Sequence, residues 1–335
     1  MKIIIATGIY PPQIGGPAQY AKNLKEAFSA EGVKVDVLKY GIENALPTGV
    51  RHVVFFVKAF IKLMKADLYI ALDQFSVGFP SVSAAKILGK KIIIRTGGDF
   101  LWESYVERTG DLVLFRNFYS GSKNNFSRKE KIIYSCSRWT MRNASAVIFS
   151  TEWQRNIFIE AYGLDSKKCF VVENYYGDKT ESKEPMSKTF IAGTRALKWK
   201  NHERLIRAFG EARQLCPDIS LDISNAPYEK FTDKIKSAYA IILVSLGDIS
   251  PNMILDALRA GKPFILTKET GLYDRLKDVA VFVDPEDEKD IVEKITFLSD
   301  KLNYSKFKTK VERFTFFHSW KNIRNEFMDI YDAIK

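Results

Sequence analysis

Short apolar runs alternate along the chain with longer stretches whose apolar positions recur at helical spacing. Residues 2–6, 35–38, 68–72, 91–95 and 146–150 read as strands, and the Ile triplets within 2–6 and 91–95 fit strands buried on both faces. Between them, residues 18–30 bring Tyr20, Leu24 and Phe28 onto one helical face, and 53–64, 77–88 and 127–142 also read as helices. The second half continues the alternation. Strands are expected at 169–173, 189–192, 221–223, 240–244, 263–266 and 280–283, and helices at 202–215, 252–260, 287–300 and 322–334. Ser250 is the expected N-cap of the 252–260 helix, with Pro251 at its first position. Repeated strand–helix units predict parallel sheets covered by helices on both faces, an α/β class. The turn-rich residues 174–178 and the polar stretch through 187 place a domain boundary near 174–188.

Length agrees with that division, since 335 residues suggest two domains at ~150 residues each. With 46% apolar and 27% charged residues, the composition excludes a disordered chain, a fibre or a disulfide scaffold. Cys136, Cys169 and Cys216, like His52, His202 and His318, are scattered without metal-ligand spacing. This implies reduced thiols, a cytoplasmic location and no metal. The run at 2–6 is too short for a secretory signal, and no stretch approaches the ~20 apolar residues of a membrane span. The nearest, 53–64, is interrupted by Lys58 and Lys62.

Charge adds a partner. The net charge is +11, and residues 1–180 carry 25 basic and 16 acidic side chains, most of that surplus. A basic first half points to an anionic partner. Val, Phe and Ile in helix 53–65 are interleaved with Lys58, Lys62 and Lys65, Arg51 precedes them, and Arg128, Lys129 and Lys131 form a second cluster. This pattern suits docking on anionic headgroups. The plainer alternative is a core-facing helix with solvated lysines.

Three constellations bear on chemistry. Tyr10-Pro11-Pro12-Gln13-Ile14-Gly15-Gly16-Pro17 leaves the first strand, where Gly15 and Gly16 allow close approach to a diphosphate and the next helix N-terminus favours anions. It is not a GxGxxG motif, and a plain strand-to-helix turn is its simpler reading. In Gly193-Thr194-Arg195-Ala196-Leu197-Lys198-Trp199-Lys200-Asn201, Arg195 and Lys200 can converge on one anion. A solvated basic loop is the alternative there. In the third, the strand ending at Val244 leads to a loop with Asp248, then to a helix whose free N–H groups near Ser250 and Asn252 suit an anion and which carries Asp256. Asp248 can sit near a sugar while Asp256 accepts from ribose hydroxyls. A turn residue and a solvated helix position are the bland counterparts.

Taken in order and spacing, these segments resemble glycosyltransferase family 4. Pro11-Pro12 with Gly15-Gly16 is similar to that family's glycine loop. Gly193 to Lys200 resembles its G-R-(x)4-K element with Thr194 inserted. Asp248 and Asp256 resemble its E-(x)7-E pair, followed by Ala257-Leu258-Arg259-Ala260-Gly261-Lys262-Pro263. Thr270-Gly271-Leu272-Tyr273-Asp274 resembles a G-G-x-x-E loop, Glu173-Asn174-Tyr175-Tyr176-Gly177 an interdomain P-N-G turn, and His318-Ser319-Trp320 an F-S-W. Three expected glutamates are aspartates here, the family's histidine after the fourth strand is absent, and residues 221–239 form a shorter segment.

The resemblance implies a GT-B fold: two Rossmann-like domains facing across a cleft, with a C-terminal helix returning to the first. The domains would be 1–175 for the acceptor, with 318–335 packing back on it, and 176–317 for the donor. It implies retaining, metal-independent sugar transfer without a cofactor, from a UDP- or GDP-linked donor to a glycan or lipid-linked acceptor. A peripheral position at the inner face of the membrane would suit such an acceptor. Asp248, Arg195, Lys200 and Asp99 would act in catalysis, Asp99 standing in for the absent histidine. Gly15, Gly16, Asp256, Ser250, Asn252, Gly271 and Asn174 would bind the donor. Trp102, Tyr105 and Trp139 are candidates to line the acceptor site, or core aromatics. A non-catalytic sugar-nucleotide binder is the first rival, and a sugar-nucleotide epimerase is disfavoured by the few histidines. A nucleic-acid-binding protein, suggested by the net charge, is the last rival, and nucleic acid is not an expected partner because no nucleic-acid module is present.

Overall fold

The Ile-rich runs close into a parallel sheet of β1 (Lys2–Thr7), β2 (Lys34–Lys39), β3 (Leu68–Ala71), β4 (Ile92–Arg95), β5 (Ala146–Phe149) and β6 (Cys169–Val171), in the order β2-β1-β3-β4-β5-β6. A second parallel sheet contains β7 (Lys188–Ile191), β8 (Ile219–Asp222), β9 (Ala240–Leu243), β10 (Phe264–Thr267) and β11 (Val281–Val283), in the order β11-β10-β9-β7-β8. The computed structural model describes residues 1–335 except Ile14, Thr194, Arg195, Asn225 and Pro227, and except the side chains of Tyr228 and Glu229.

Two compact units contain these sheets. The first comprises Met1–Leu101, Asn125–Tyr175 and His318–Lys335, and the second Trp102–Asn124 and Tyr176–Phe317. The division differs from the expected one in Trp102–Asn124, assigned by sequence to the first domain. Trp102 and Tyr105 are buried within the second unit, where the Trp102 ring lies 5.3 Å from Trp199. They are core aromatics.

In the first unit, Ile3, Ile5, Ile70, Ile93 and Ile148 meet Tyr20, Leu24 and Phe28 of helix Gly16–Ser29. Each fully buried side chain of this size contributes ~1.5–3 kcal/mol. The last helix, Trp320–Ile334, opens with a capping box between Ser319 and Asn322 and buries Ile323 and Phe327 in the same core. The expected return of the C-terminal helix to the first domain is therefore present. Trp320 fixes it, stacking on Tyr175 at 5.7 Å and meeting Tyr20 edge-on at 5.1 Å.

In the second unit, helix His202–Leu215 packs Leu205, Ala208 and Ala212 against β7 and β9, and helix Asn252–Arg259 buries most of its length. Pro251, not Ser250, is the cap of that helix, and no side chain caps it. Ile254 N–H instead turns back to the Pro251 carbonyl at 3.0 Å, which moves the helix start one residue on. Helix Lys301–Arg313 has no counterpart in the sequence reading, although Tyr304, Phe307 and Val311 recur at helical spacing and pack on the second unit's core; Val311 alone is fully buried, and the helix is otherwise rich in Lys and Arg.

The hinge of the returning helix carries a titratable group. His318 sits between the Asn174 carbonyl (Nδ1, 3.2 Å) and the Glu326 carboxylate (Nε2, 2.9 Å). Burial opposes its charged form, but these two acceptors outweigh burial and raise its pKa. A raised histidine pKa stabilises the fold fully below the unfolded value, near 6.5, and that contribution is lost as pH rises through the folded value. The melting-temperature gap between wild type and His318→Gln should therefore be largest at mildly acid pH and narrow as pH rises. A gap independent of pH would remove the charged pair from this account.

Candidate functional site

Strand order reverses between β1 and β3 in the first sheet and between β7 and β9 in the second. At such a point loops leave adjacent strands in opposite directions, opening a crevice at their carboxyl ends where open α/β sheets bind ligands. After β1, Gly15 adopts φ +152°, in the region that favours glycine, and a Cβ there would meet Ile9 Cδ1 at 3.3 Å. Gly15 and Gly16 are exposed at the start of helix Gly16–Ser29. After β3, the Asp73 carboxylate accepts N–H groups of Phe75 (2.8 Å) and Val77 (3.0 Å) and so braces the next helix, Gly78–Leu88.

The second sheet's reversal point is more highly charged. Lys200 ends a short 3-10 turn after β7, and Asn201 follows with φ +62°. The buried Asn201 amide donates to the carbonyls of Val244 (3.1 Å) and Pro285 (2.8 Å), which ties the β7 loop to the β9 loop. Lys200 Nζ lies 2.7 Å from Asp248 Oδ2, with side chains only 13% and 14% exposed, and 4.1 Å above the Trp199 ring. Asp248 also pairs by backbone with the loop after β10. Its N–H donates to the Glu269 carbonyl (2.9 Å), its carbonyl accepts from Gly271 (3.3 Å), and it faces Thr270.

The fold thus brings together Lys200, Asp248 and Gly271. Ser250 and Asn252 stand at the start of helix Asn252–Arg259, which carries Asp256 on its second turn. Asp256 is 9% exposed, with Oδ1 3.4 Å from Arg259 Nη1. Arg195 lies outside the described residues. Asp99 and Asn174 belong to the first unit and hold local groups there. Asp99 Oδ1 accepts from Leu101 N–H at 2.9 Å and so caps helix Phe100–Thr109, while Asn174 Oδ1 accepts from the buried Arg95 guanidinium at 2.5 Å. That guanidinium lies 3.9 Å over the Tyr20 ring.

Sequence reasoning passed over Glu269 and Arg116. Glu269 is 4% exposed and lies in the loop after β10, next to Thr270. Its position just ahead of Thr270-Gly271 was the available signal. Arg116, distant in sequence, gave none; its Nε donates to Glu269 Oε2 at 2.7 Å. Burial pushes the Glu269 carboxyl above its usual pKa, and Arg116 works against that rise. Arg116 comes from Trp102–Asn124, which touches all three loops of the site. The Glu107 carboxylate accepts Lys198 N–H (2.7 Å), Phe115 N–H donates to the Leu246 carbonyl (3.0 Å), and Phe115 packs on Gly247. A Cβ on Gly247 would run into Phe115 and come within 3.1 Å of Trp102. Glycine is needed there for closeness rather than for its backbone angles.

No protein-family profile and no characterised sequence matches the chain. Solved structures match over its whole length. The sucrose-phosphate synthase of Thermosynechococcus elongatus has a TM-score of 0.71 at 12% identity, covering 99% of this chain and 98% of its own. Anabaena HepE, solved with UDP and glucose, has a TM-score of 0.65 at 13% identity, covering 99% and 100%. A putative UDP-N-acetylglucosamine 2-epimerase from Listeria monocytogenes has a TM-score of 0.60 at 11% identity, covering 99% and 96%. The chain has the GT-B fold, two Rossmann-like units built on parallel sheets of six and five strands. Identity this low establishes the fold, and function must be argued from the site.

Removing the brace tests its role. Arg116→Ala leaves the buried Glu269 carboxylate without its guanidinium, at an expected cost of about 1–3 kcal/mol. The unpaired acid then has a further raised pKa, so the penalty should grow as pH rises above the ordinary carboxyl range, near 4.3. Chemical denaturation of wild type, Arg116→Ala and Arg116→Lys across acid and neutral pH measures this. Equal stability of all three would detach Arg116 from the site.

Proposed function

We propose that the chain is a glycosyltransferase that moves a sugar from a nucleoside-diphosphate donor to a glycan or lipid-linked acceptor. The observation that carries this reading is the largely buried Lys200–Asp248 pair in the loops after β7 and β9, followed at once by the N-terminus of helix Asn252–Arg259. An ammonium ion and uncapped helix N–H groups there suit a diphosphate. The resemblance to glycosyltransferase family 4 and the fold shared with a sucrose-phosphate synthase and with the UDP-bound HepE support the same reading.

In this proposal the donor is UDP- or GDP-linked. Asp256 accepts from the ribose hydroxyls, and the backbone at Ser250, Asn252 and Gly271 approaches the diphosphate and sugar. Asp248 orients Lys200 in the resting enzyme and faces the donor sugar once the diphosphate takes over the ammonium. The acceptor hydroxyl oxygen bonds to the anomeric carbon as the bond to the diphosphate breaks, with retention, and the hydroxyl proton passes to a departing phosphate oxygen. Lys200 and Arg195 stabilise the charge growing on the leaving group, so the scheme uses fixed protein cations and no metal. The basic first unit favours an acceptor presented at an anionic membrane surface.

The test is a panel of UDP-, GDP- and ADP-sugars followed by thermal shift and donor hydrolysis. One nucleotide should stabilise the protein, by ~2.7 kcal/mol at a hundredfold excess over Kd. Asp256→Ala should abolish the shift, and Lys200→Ala should slow hydrolysis by ~10²–10³. A shift with no turnover in the presence of lipid extract would mean a binding protein. Inversion at C2 of a free UDP-sugar would mean an epimerase, and no shift with any nucleotide would overturn the donor site.

A further inference from the structure

The helix Thr48–Leu63 is amphipathic in an unusual sense. It buries Phe55, Ala59 and Leu63, as a helix on a sheet must. On the opposite side it exposes Val50, Val53, Val57 and Ile61, continued by Met64, each 50–64% accessible. Their spacing of three and four residues lines them into one stripe along the helix. Soluble helices normally place charge there. The lysines within the helix stand off the stripe and are occupied, Lys58 by the buried Glu43 at 2.5 Å and Lys62 by Asp36 at 3.3 Å.

The neighbouring helices say what covers the stripe. Ring contacts run from His52 to Phe79 (6.1 Å) and from Phe79 to Trp139 (5.6 Å), so Thr48–Leu63, Gly78–Leu88 and Arg128–Asn143 form one layer. Together these helices hold nine Lys and Arg residues and a single acid, Glu130, which is buried in a capping box. Arg128, Lys129 and Lys131 are exposed. An apolar stripe on a layer without exposed acid matches a lipid interface, with acyl chains for the stripe and anionic headgroups for the rim. Nucleic acid would use the cations and leave the stripe wet. A second copy would bring its own cations against these, and five half-exposed side chains fall short of the ~800 Å² per partner of a standard interface.

We infer that this layer is a membrane-docking face, entered by the Val50–Met64 stripe and held by the Arg128–Lys131 cluster against anionic lipid. The inference concerns where the proposed transferase works, and its test uses no sugar nucleotide, so either can fail alone. The full chain is sedimented with vesicles of phosphatidylcholine alone or mixed equally with phosphatidylglycerol. It should bind the mixed vesicles and be retained in part at high salt, because insertion of apolar side chains is not screened. Val57→Glu/Ile61→Glu should abolish binding with an unchanged melting temperature, since both positions are exposed. Lys129→Glu/Lys131→Glu should weaken it roughly 10-fold or more and leave the salt-resistant part. Val57→Ser/Ile61→Ser, gentler to the fold, should lose that salt-resistant part. Absence of binding to either vesicle, equal binding by all variants, or a dimer that the stripe substitutions dissociate would overturn the inference. So would displacement from vesicles by duplex DNA that the stripe substitutions leave unaffected.

Discussion

A parallel sheet sends every strand's carboxyl end to one edge, and where strand order reverses the loops at that edge must part. In the second sheet this happens between β7 and β9, and an ion pair joins the two loops beside backbone bonds such as Leu246 N–H to the Trp199 carbonyl (2.9 Å). Lys200 and Asp248 come from segments 48 residues apart in sequence and meet at 2.7 Å. Both are largely shielded from water, so the attraction is stronger than that of a surface pair, and leaving either partner alone would be costly. The loop that carries Lys200 is tied down by the next residue, Asn201, whose left-handed backbone turns the chain and whose amide reaches two carbonyls of other loops.

Around that pair the second unit adds a brace of different chemistry. Residues Trp102–Asn124 contribute an aromatic surface for Gly247, a carboxylate for the Lys198 amide and a guanidinium for Glu269. Each contact lands on a different loop, following β9, β7 and β10 in turn. A loop cluster built from separate strands has no reason to be rigid by itself. Cross-ties from one segment give it a common support, which a site that binds a charged ligand without refolding requires.

The first unit is organised around a buried cation. Arg95 reaches Ser150 and Asn174 and lies over Tyr20, while Asn174 passes the linkage on through its carbonyl to His318 and so to the returning helix. Dipoles and a ring face inside the unit stabilise the charge. Lys58 and Lys62 follow the same pattern farther out, each paired with an acid of its own unit. Left exposed are the Val50–Met64 stripe and Arg128, Lys129 and Lys131, a division that net charge alone does not reveal.

The strands were legible in the sequence because a strand buried on both faces must be apolar throughout, as at Ile3-Ile4-Ile5 and Ala240-Ile241-Ile242-Leu243. The return of the last helix was legible through the family resemblance, whereas the sequence offered Lys200 and Asp248 to the site without pairing them. Other features were not legible. The helix cap moved from Ser250 to Pro251, because caps depend on local backbone geometry that several residues satisfy equally well. Lys58 and Lys62 read as solvent-facing charges, because their acidic partners, Glu43 and Asp36, lie on other elements. Trp102–Asn124 read as part of the first domain, although its aromatics belong to the second unit. Periodicity records that a residue is buried but not against what. The sequence by itself determined the alternation of strands and helices and the edge where the loops gather. Which segment braces that edge, and which cations are already spent, were decided only by tertiary packing, because partners far apart in sequence leave no pattern along it.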